Sequence, residues 1–203
     1  GNFGKASTRN DYKEGILGEG TVIITGGTFG FDPSAWVAPG YVAKKEGANW
    51  VVGLNKVESA DELTEAIANA SEGDYIYLTE DVDYGTIYLG ELKNVTIEGA
   101  ENTGITLTTD DNKVIENVTL KNMQFVDTAV AKDFINISQN ASIENLVIEN
   151  CVFEGINGKS GHAIRGANAN ATIEIKKCTF KNMGYGIWSS YTGGYASLLV
   201  ENC

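Results

Sequence analysis

The chain has 203 residues, enough for one substantial core or two modest ones, with 42% apolar residues, 24 Gly and only 2 Pro. A formal charge of −12 leaves no basic patch to displace counterions, which excludes nucleic acid and anionic membrane surfaces as expected partners. No apolar run reaches 18 residues, so no segment reads as a membrane-spanning helix.

Residues 1–20 are polar and aperiodic and read as a lead-in with little structure of its own. The stretch from Thr21 to Phe29 then carries Val22, Ile24, Gly27 and Phe29 in the beat of a repeat that returns much later. Residues 31–40, punctuated by Pro33, Pro39 and Gly40, read as a turn segment. Residues 41–43 and 50–52 read as a short hairpin turning near Gly47. A first region, 1–56, is expected to hold this strand and hairpin, and a second, 57–203, the rest.

Ser59 opens the one convincing helix, about 59–70. Ser59 and Glu62 have the spacing of a capping box, and Leu63, Ala66, Ile67 and Ala70 form one apolar face. Alternating strands follow at 74–78 and 86–89.

From there a nine-residue phrase recurs. Its clearest copy runs from Asn145 to Phe153, with Leu146, Ile148, Cys151 and Phe153 as apolar beats. The other copies give Val95/Ile97/Ala100, Val118/Leu120/Met123/Phe125, Ile173/Ile175/Cys178/Phe180 and Leu198/Val200/Cys203, at steps of 23, 28, 27 and 25 residues. Such a period marks a solenoid, whose units bury their apolar faces only by stacking. A leucine-rich repeat shares the beat, but its connections are helical or turn-like. Here they contain further strands at 105–108, 134–138, 163–166 and 186–189, so the expected fold is all-β, a single-stranded parallel β-helix. The chain stops at Cys203 in mid-phrase, so its last coil is expected to be truncated.

Two columns are expected from stacking. The residue after the central beat alternates in sign (Glu98, Lys121, Glu149, Lys176, Glu201), so each charge should face opposite charges one strand spacing away. Three Cys, an odd number, share one beat and read as an inward thiol column. A metal site is the sharper alternative, but the chain has a single His; a disulfide between adjacent coils is another and would leave one thiol over.

The run from Ser59 to Leu78, ending in Gly73-Asp-Tyr-Ile-Tyr-Leu78, together with the later Ile-Glu-Asn-Cys-x-Phe phrases, resembles the pectate-lyase-like superfamily. The resemblance covers about 57–203 and implies a right-handed β-helix plugged at its N-terminal end by the helix. It also implies a stacked Asn turn at Asn94, Asn117 and Asn145, lost where Thr172 and Ser197 take that position. Residues 24–43, with Gly-Gly-Thr-Phe and Asp-Pro-Ser-x-Trp, resemble a module of large exported bacterial surface proteins, which implies a secreted or cell-surface setting.

Superfamily fold does not carry activity with it. A polygalacturonase-like site needs several carboxylates and a Gly-His-Gly phrase; Gly161-His162-Ala163-Ile164-Arg165 echoes the phrase, but the accompanying motifs are missing. A lyase-like site would use a Ca²⁺-binding carboxylate set and an Arg, for which Asp133 and Arg165 are the only echoes. His162, Arg165 and Asp133 are therefore the weak catalytic candidates. Glu80, Asp81 and Asp83 form an acidic turn that could hold Ca²⁺ or could be solvated carboxylates; no cofactor or metal is otherwise expected.

The stronger candidate is a binding site at residues 184–195. Ile187 should point inward and Trp188 outward, one coil beyond Arg165, with Tyr185, Tyr191 and Tyr195 around it. Flat aromatics beside polar donors suit a sugar ring or a protein interface; equally, they suit the cover of a coil end. Five Asn-x-Ser/Thr sequons, at Asn94, Asn117, Asn136, Asn140 and Asn170, arise from the repeat itself. The expected function is a non-catalytic, adhesin-like scaffold contacting carbohydrate or another surface protein. The alternative is a polysaccharide lyase or glycoside hydrolase, which should cluster carboxylates on one outer face.

Overall fold

The computed structural model describes residues 2–3, 22–99, 104–126, 133–156, 161–166, 170–189 and 194–203. Two compact units divide the chain, Gly1–Asn55 and Lys56–Cys203.

In the first unit the strand Asn49–Leu54 pairs antiparallel with both Tyr41–Glu46 and Gly27–Phe29, and Asn2–Phe3 adds a parallel edge. The hairpin turns at Gly47, whose φ of 60° is left-handed, as expected. The repeat-like phrase ending at Phe29 is not a coil, however. Its last three residues belong to this antiparallel sheet, because alternation alone does not distinguish the two settings. The motif residues build a small core of Ile24, Phe29 and Val52, with Phe31 edge-on to Phe29 and Trp36 edge-on to Phe31. Asp32 accepts hydrogen bonds from the Ser34 amide and hydroxyl, which starts the short turn Ser34–Trp36.

The second unit is a parallel β-solenoid. A long sheet stacks Lys56–Val57, Tyr75–Leu78, Thr96–Glu98, Val114–Lys121, Ser142–Glu149, Ala171–Lys176 and Ser197–Glu201 in that order. A second sheet stacks Asp83–Leu89, Gly104–Thr109, Asp133–Ile137, His162–Gly166 and Tyr185–Ser189. A third holds Gln124–Val126, Val152–Glu154 and Thr179–Lys181, so the three coils from Val114 onward carry a strand on every side. Every pairing in this unit is parallel, as a coil whose crossovers return each strand to the same side demands.

The repeat beats point inward. Ile97, Leu120, Ile148 and Ile175 form one fully buried column; Phe125 and Phe153, also fully buried, and the partly buried Phe180 form a second column with near-parallel rings, 4.7 and 5.2 Å between centroids. Helix α1, Ala60–Ala68, caps the N-terminal end of this core. Leu63 and Ile67 are buried in it, and Ala66 and Ala70 pack against it. Ser59 Oγ accepts from the Glu62 amide as expected, but Glu62 reaches the Glu58 amide and not that of Ser59, one residue off a true capping box. Beneath the helix the buried Tyr84 hydroxyl donates to Val57 O and accepts from the Thr79 amide, tying the first coil to the strand below it.

Asn makes the corners. Asn94, Asn117 and Asn145 all have left-handed φ, and Asn145 Nδ2 donates to Asn117 Oδ1 at 3.1 Å. In the next coil Thr172 alone stands opposite Glu144 and Asn145, so the register shifts and the Asn turn ends where Thr replaces it. The structure adds a second Asn column. Asn122, Asn150 and Asn202, each following a residue of the charge column, also take left-handed φ, and Lys177 does the same in the coil between the last two. Asn150 Nδ2 donates to Asn122 Oδ1 at 2.7 Å, and Asn122 Nδ2 to Glu98 at 2.6 Å.

The charge column stacks in register through all five coils. Only Glu98 and Lys121 close into an ion pair, at 3.2 Å; Lys176 turns instead to Glu174 on its own strand and Glu149 to Lys177. Neighbouring side chains compete for the same carboxylates in solvent, where no pair is worth more than about 1 kcal/mol.

Candidate functional site

The outer face of the five-stranded sheet gathers the residues of interest across three coils. Asp133 lies in register with His162 and then Tyr185, and Asn136 with Arg165 and then Trp188. Strict alternation would put Asp133 and Asn136 on opposite faces. Phe134 and Ile135 both turn inward between them, as do Ala163 and Ile164 in the next coil, so the outward residues are three apart. Phe134 fills the corner beside Phe125 and Phe153. Ala163 and Gly186 take the same place in the coils above, and Gly186 lies against the Phe180 ring.

Asp133 is the anchor. One carboxylate oxygen accepts from His162 Nδ1 at 2.6 Å and the other from Arg165 Nη1 at 3.0 Å. A carboxylate only accepts, so Nδ1 carries the proton in this contact. Burial pushes the Asp133 carboxyl up, but the hydrogen bonds and charge of His162 and Arg165 outweigh it and hold the group below the usual carboxylate range.

Aromatic rings cover the two basic side chains from the next coil. Tyr185 stacks on the His162 ring, 5.1 Å between centroids and 14° from parallel, and the Arg165 guanidinium lies 5.4 Å over the Trp188 ring. His162 and Trp188 also touch, at 5.3 Å and a 45° tilt. Tyr185 is 55% exposed and the Arg165 side chain 48%, so the cluster is open to solvent.

Tyr195 departs from expectation. Its ring packs inward over Gly166 and its hydroxyl donates to the Trp188 carbonyl at 3.2 Å, with burial raising its pKa to about 12. It braces the strand that carries Trp188 and is not part of the exposed platform. Tyr191 lies outside the described residues. Ile187 packs against the core, as expected. Among the described residues no group of three or more His, Cys, Asp or Glu side chains is placed to hold a metal ion. In the acidic turn Asp83 accepts from the Gly85 amide, and Glu80, Asp81 and Asp83 do not converge. Among the described residues no helix is long and apolar enough to cross a membrane.

The Asp133 anchor has a pH signature. Because its carboxyl titrates lower in the folded chain than the ~3.9 of an unfolded one, its stabilisation is complete above that value and lost as pH falls through the folded value. Asp133→Asn should cost about 1 kcal/mol at pH 7, given hydrogen bonds to a partly buried charge. Below the folded value, where the carboxyl is protonated in both states, that contribution should be lost. Urea denaturation at both pH values measures this, and a gap that ignores pH would show that the carboxylate charge contributes nothing.

No family model, curated protein or solved structure matches the chain.

Proposed function

We propose that this chain is a non-catalytic β-solenoid module of a secreted or cell-surface bacterial protein, an adhesin-like scaffold that contacts carbohydrate through Tyr185, Trp188, Arg165 and His162. The observation that supports this most is the Asp133 anchor. It fixes a guanidinium and an imidazole side by side while two aromatic rings lie against them, a rigid arrangement of flat apolar faces and polar groups. Little side-chain entropy remains to be lost on binding such a surface.

The same pair favours a second reading. A His held by an Asp is the usual arrangement of a general base, as a lyase or hydrolase would need. Weighing against it, both Asp133 oxygens are engaged, and the described residues on this face give the His no second carboxylate partner.

A glycan array on wild type and Trp188→Ala, with Asp133→Asn beside them, tests the proposal. Wild type should bind one glycan class, and Trp188→Ala should bind it at least tenfold more weakly, the scale expected of a central aromatic contact. Identical profiles for wild type and Trp188→Ala would remove the sugar contact. Cleavage of any arrayed glycan that His162→Ala abolishes would replace the scaffold reading with an enzyme.

A further inference from the structure

Tyr88 is an exposed aromatic side chain that neither the core nor the Asp133 cluster accounts for. It is 59% exposed, lies outside the core and does not pack against it. Register places it. Tyr88 pairs with Thr108, Thr108 with Asn136, Asn136 with Arg165 and Arg165 with Trp188, so the five form one outward column along the five-stranded sheet. The double inward turn at Phe134 and Ile135 keeps Asn136 in that column, and the same turn at Ala163 and Ile164 keeps Arg165 there. Four strand spacings of roughly 4.8 Å put the two end rings about 19 Å apart. The column follows the flank of the coils, where strand register decides which way each side chain faces.

The residues between and beside the rings set the chemistry. Thr108 and Asn136 in the column, and Thr86 paired with Thr106 beside it, are short uncharged side chains that both donate and accept hydrogen bonds. Arg165 is the one Lys or Arg in the five strands, and Asp133 already meets its charge at 3.0 Å. The acidic residues of these strands are Asp83 and Asp133, and the chain carries a charge of −12, so an anionic polymer meets repulsion and no unpaired cation. An extended peptide is usually held by main-chain pairing at a strand edge, whereas this column lies on a sheet face whose backbone is already paired. Apolar ring faces at each end, with hydroxyl and amide groups between them, match a chain of uncharged sugars.

We propose, and this rests on the carbohydrate reading above, that the outer face of this sheet binds an uncharged linear oligosaccharide lying along the coil axis, one sugar at Trp188 and Arg165 and another at Tyr88. When one chain joins the two contacts, the second becomes intramolecular, so an oligomer long enough to reach both rings gains affinity over a short one.

Isothermal titration calorimetry of the 203-residue chain with cellohexaose, xylohexaose, mannohexaose, the corresponding disaccharides and hexagalacturonic acid tests this. One neutral hexasaccharide should bind at least about tenfold more tightly than its disaccharide. Hexagalacturonic acid should bind more weakly than that hexasaccharide. Tyr88→Ala, at an exposed position, should weaken hexasaccharide binding about tenfold, whereas Trp188→Ala should weaken both lengths. A disaccharide as tight as its hexasaccharide, with Tyr88→Ala equal to wild type and Trp188→Ala weakened, would overturn the elongated site and leave the Trp188 contact standing. Tighter binding of hexagalacturonic acid would overturn the uncharged class. Binding of none of the oligosaccharides would overturn this inference and the carbohydrate reading together.

Discussion

Phe153→Ala should be among the most damaging single truncations in the solenoid, with an expected loss of about 3–5 kcal/mol. Phe153 is fully buried between two nearly parallel rings, Phe125 on one side and Phe180 on the other, with Phe134 tilted against it at 6.3 Å. Truncation removes the ring and leaves a cavity that the surrounding coils cannot collapse into, because hydrogen bonds such as Val152 N to Met123 O and Thr179 N to Cys151 O hold their spacing. Phe180→Ala is the internal comparison. It meets the stack from one side and is only partly buried, so it should cost less than half as much. Urea denaturation of the two variants decides the matter, and a Phe180 loss equal to that of Phe153 would show that stacking depth does not set the energy. For a unit of this size the Phe153 change should lower the melting temperature on the order of 10 °C.

That such columns exist was legible from the sequence because a solenoid writes its core as a period. Leu120, Ile148 and Ile175 recur at coil spacing and are all fully buried; the same recurrence located the buried thiols Cys151 and Cys178, while Cys203 on the same beat is exposed, and helical spacing located the capping face of Leu63 and Ile67. What escaped was conformational. Left-handed φ at Asn122 and Asn150 leaves no apolar signature, and the only sign was an Asn directly after each charged residue of the alternating column in three of its five copies. The phrase ending at Phe29 has the same alternation as a coil, yet its partner strand lies beyond the next turn and runs antiparallel, which no local pattern encodes.

The site was legible by halves for a related reason. Alignment at the coil period paired Arg165 with Trp188 correctly. Asp133 was recognised only as a weak catalytic echo, because its partners lie 29 and 32 residues away and the double inward turn at Phe134 and Ile135 breaks the two-residue alternation on which orientation was judged. Tyr195 resembled its neighbours in composition, but Gly166, on the preceding coil, opens the space into which its ring folds.

Gly99→Ala is expected to be nearly as costly as the loss of a core ring, for the opposite reason. A β-carbon at Gly99 would stand 2.6 Å from Met123 Cα and 2.7 Å from Met123 Cγ, with Asn122 O at 3.0 Å. The nearest atom is backbone of the next coil, and that coil is pinned where it is by the Gly99 amide donating to Lys121 O at 2.9 Å. Relief therefore requires two coils to separate locally, and the overpacking should cost about 3 kcal/mol. Gly90→Ala, where an added β-carbon meets nothing within 4 Å, should stay within about 0.5 kcal/mol of wild type. A double-mutant cycle with Met123→Ala separates the two contacts, since that change deletes Cγ and leaves Cα in place. It should recover less than half of the Gly99→Ala loss. Full recovery would mean that only a side chain stood in the way and that the spacing between these coils yields more easily than their hydrogen bonding implies.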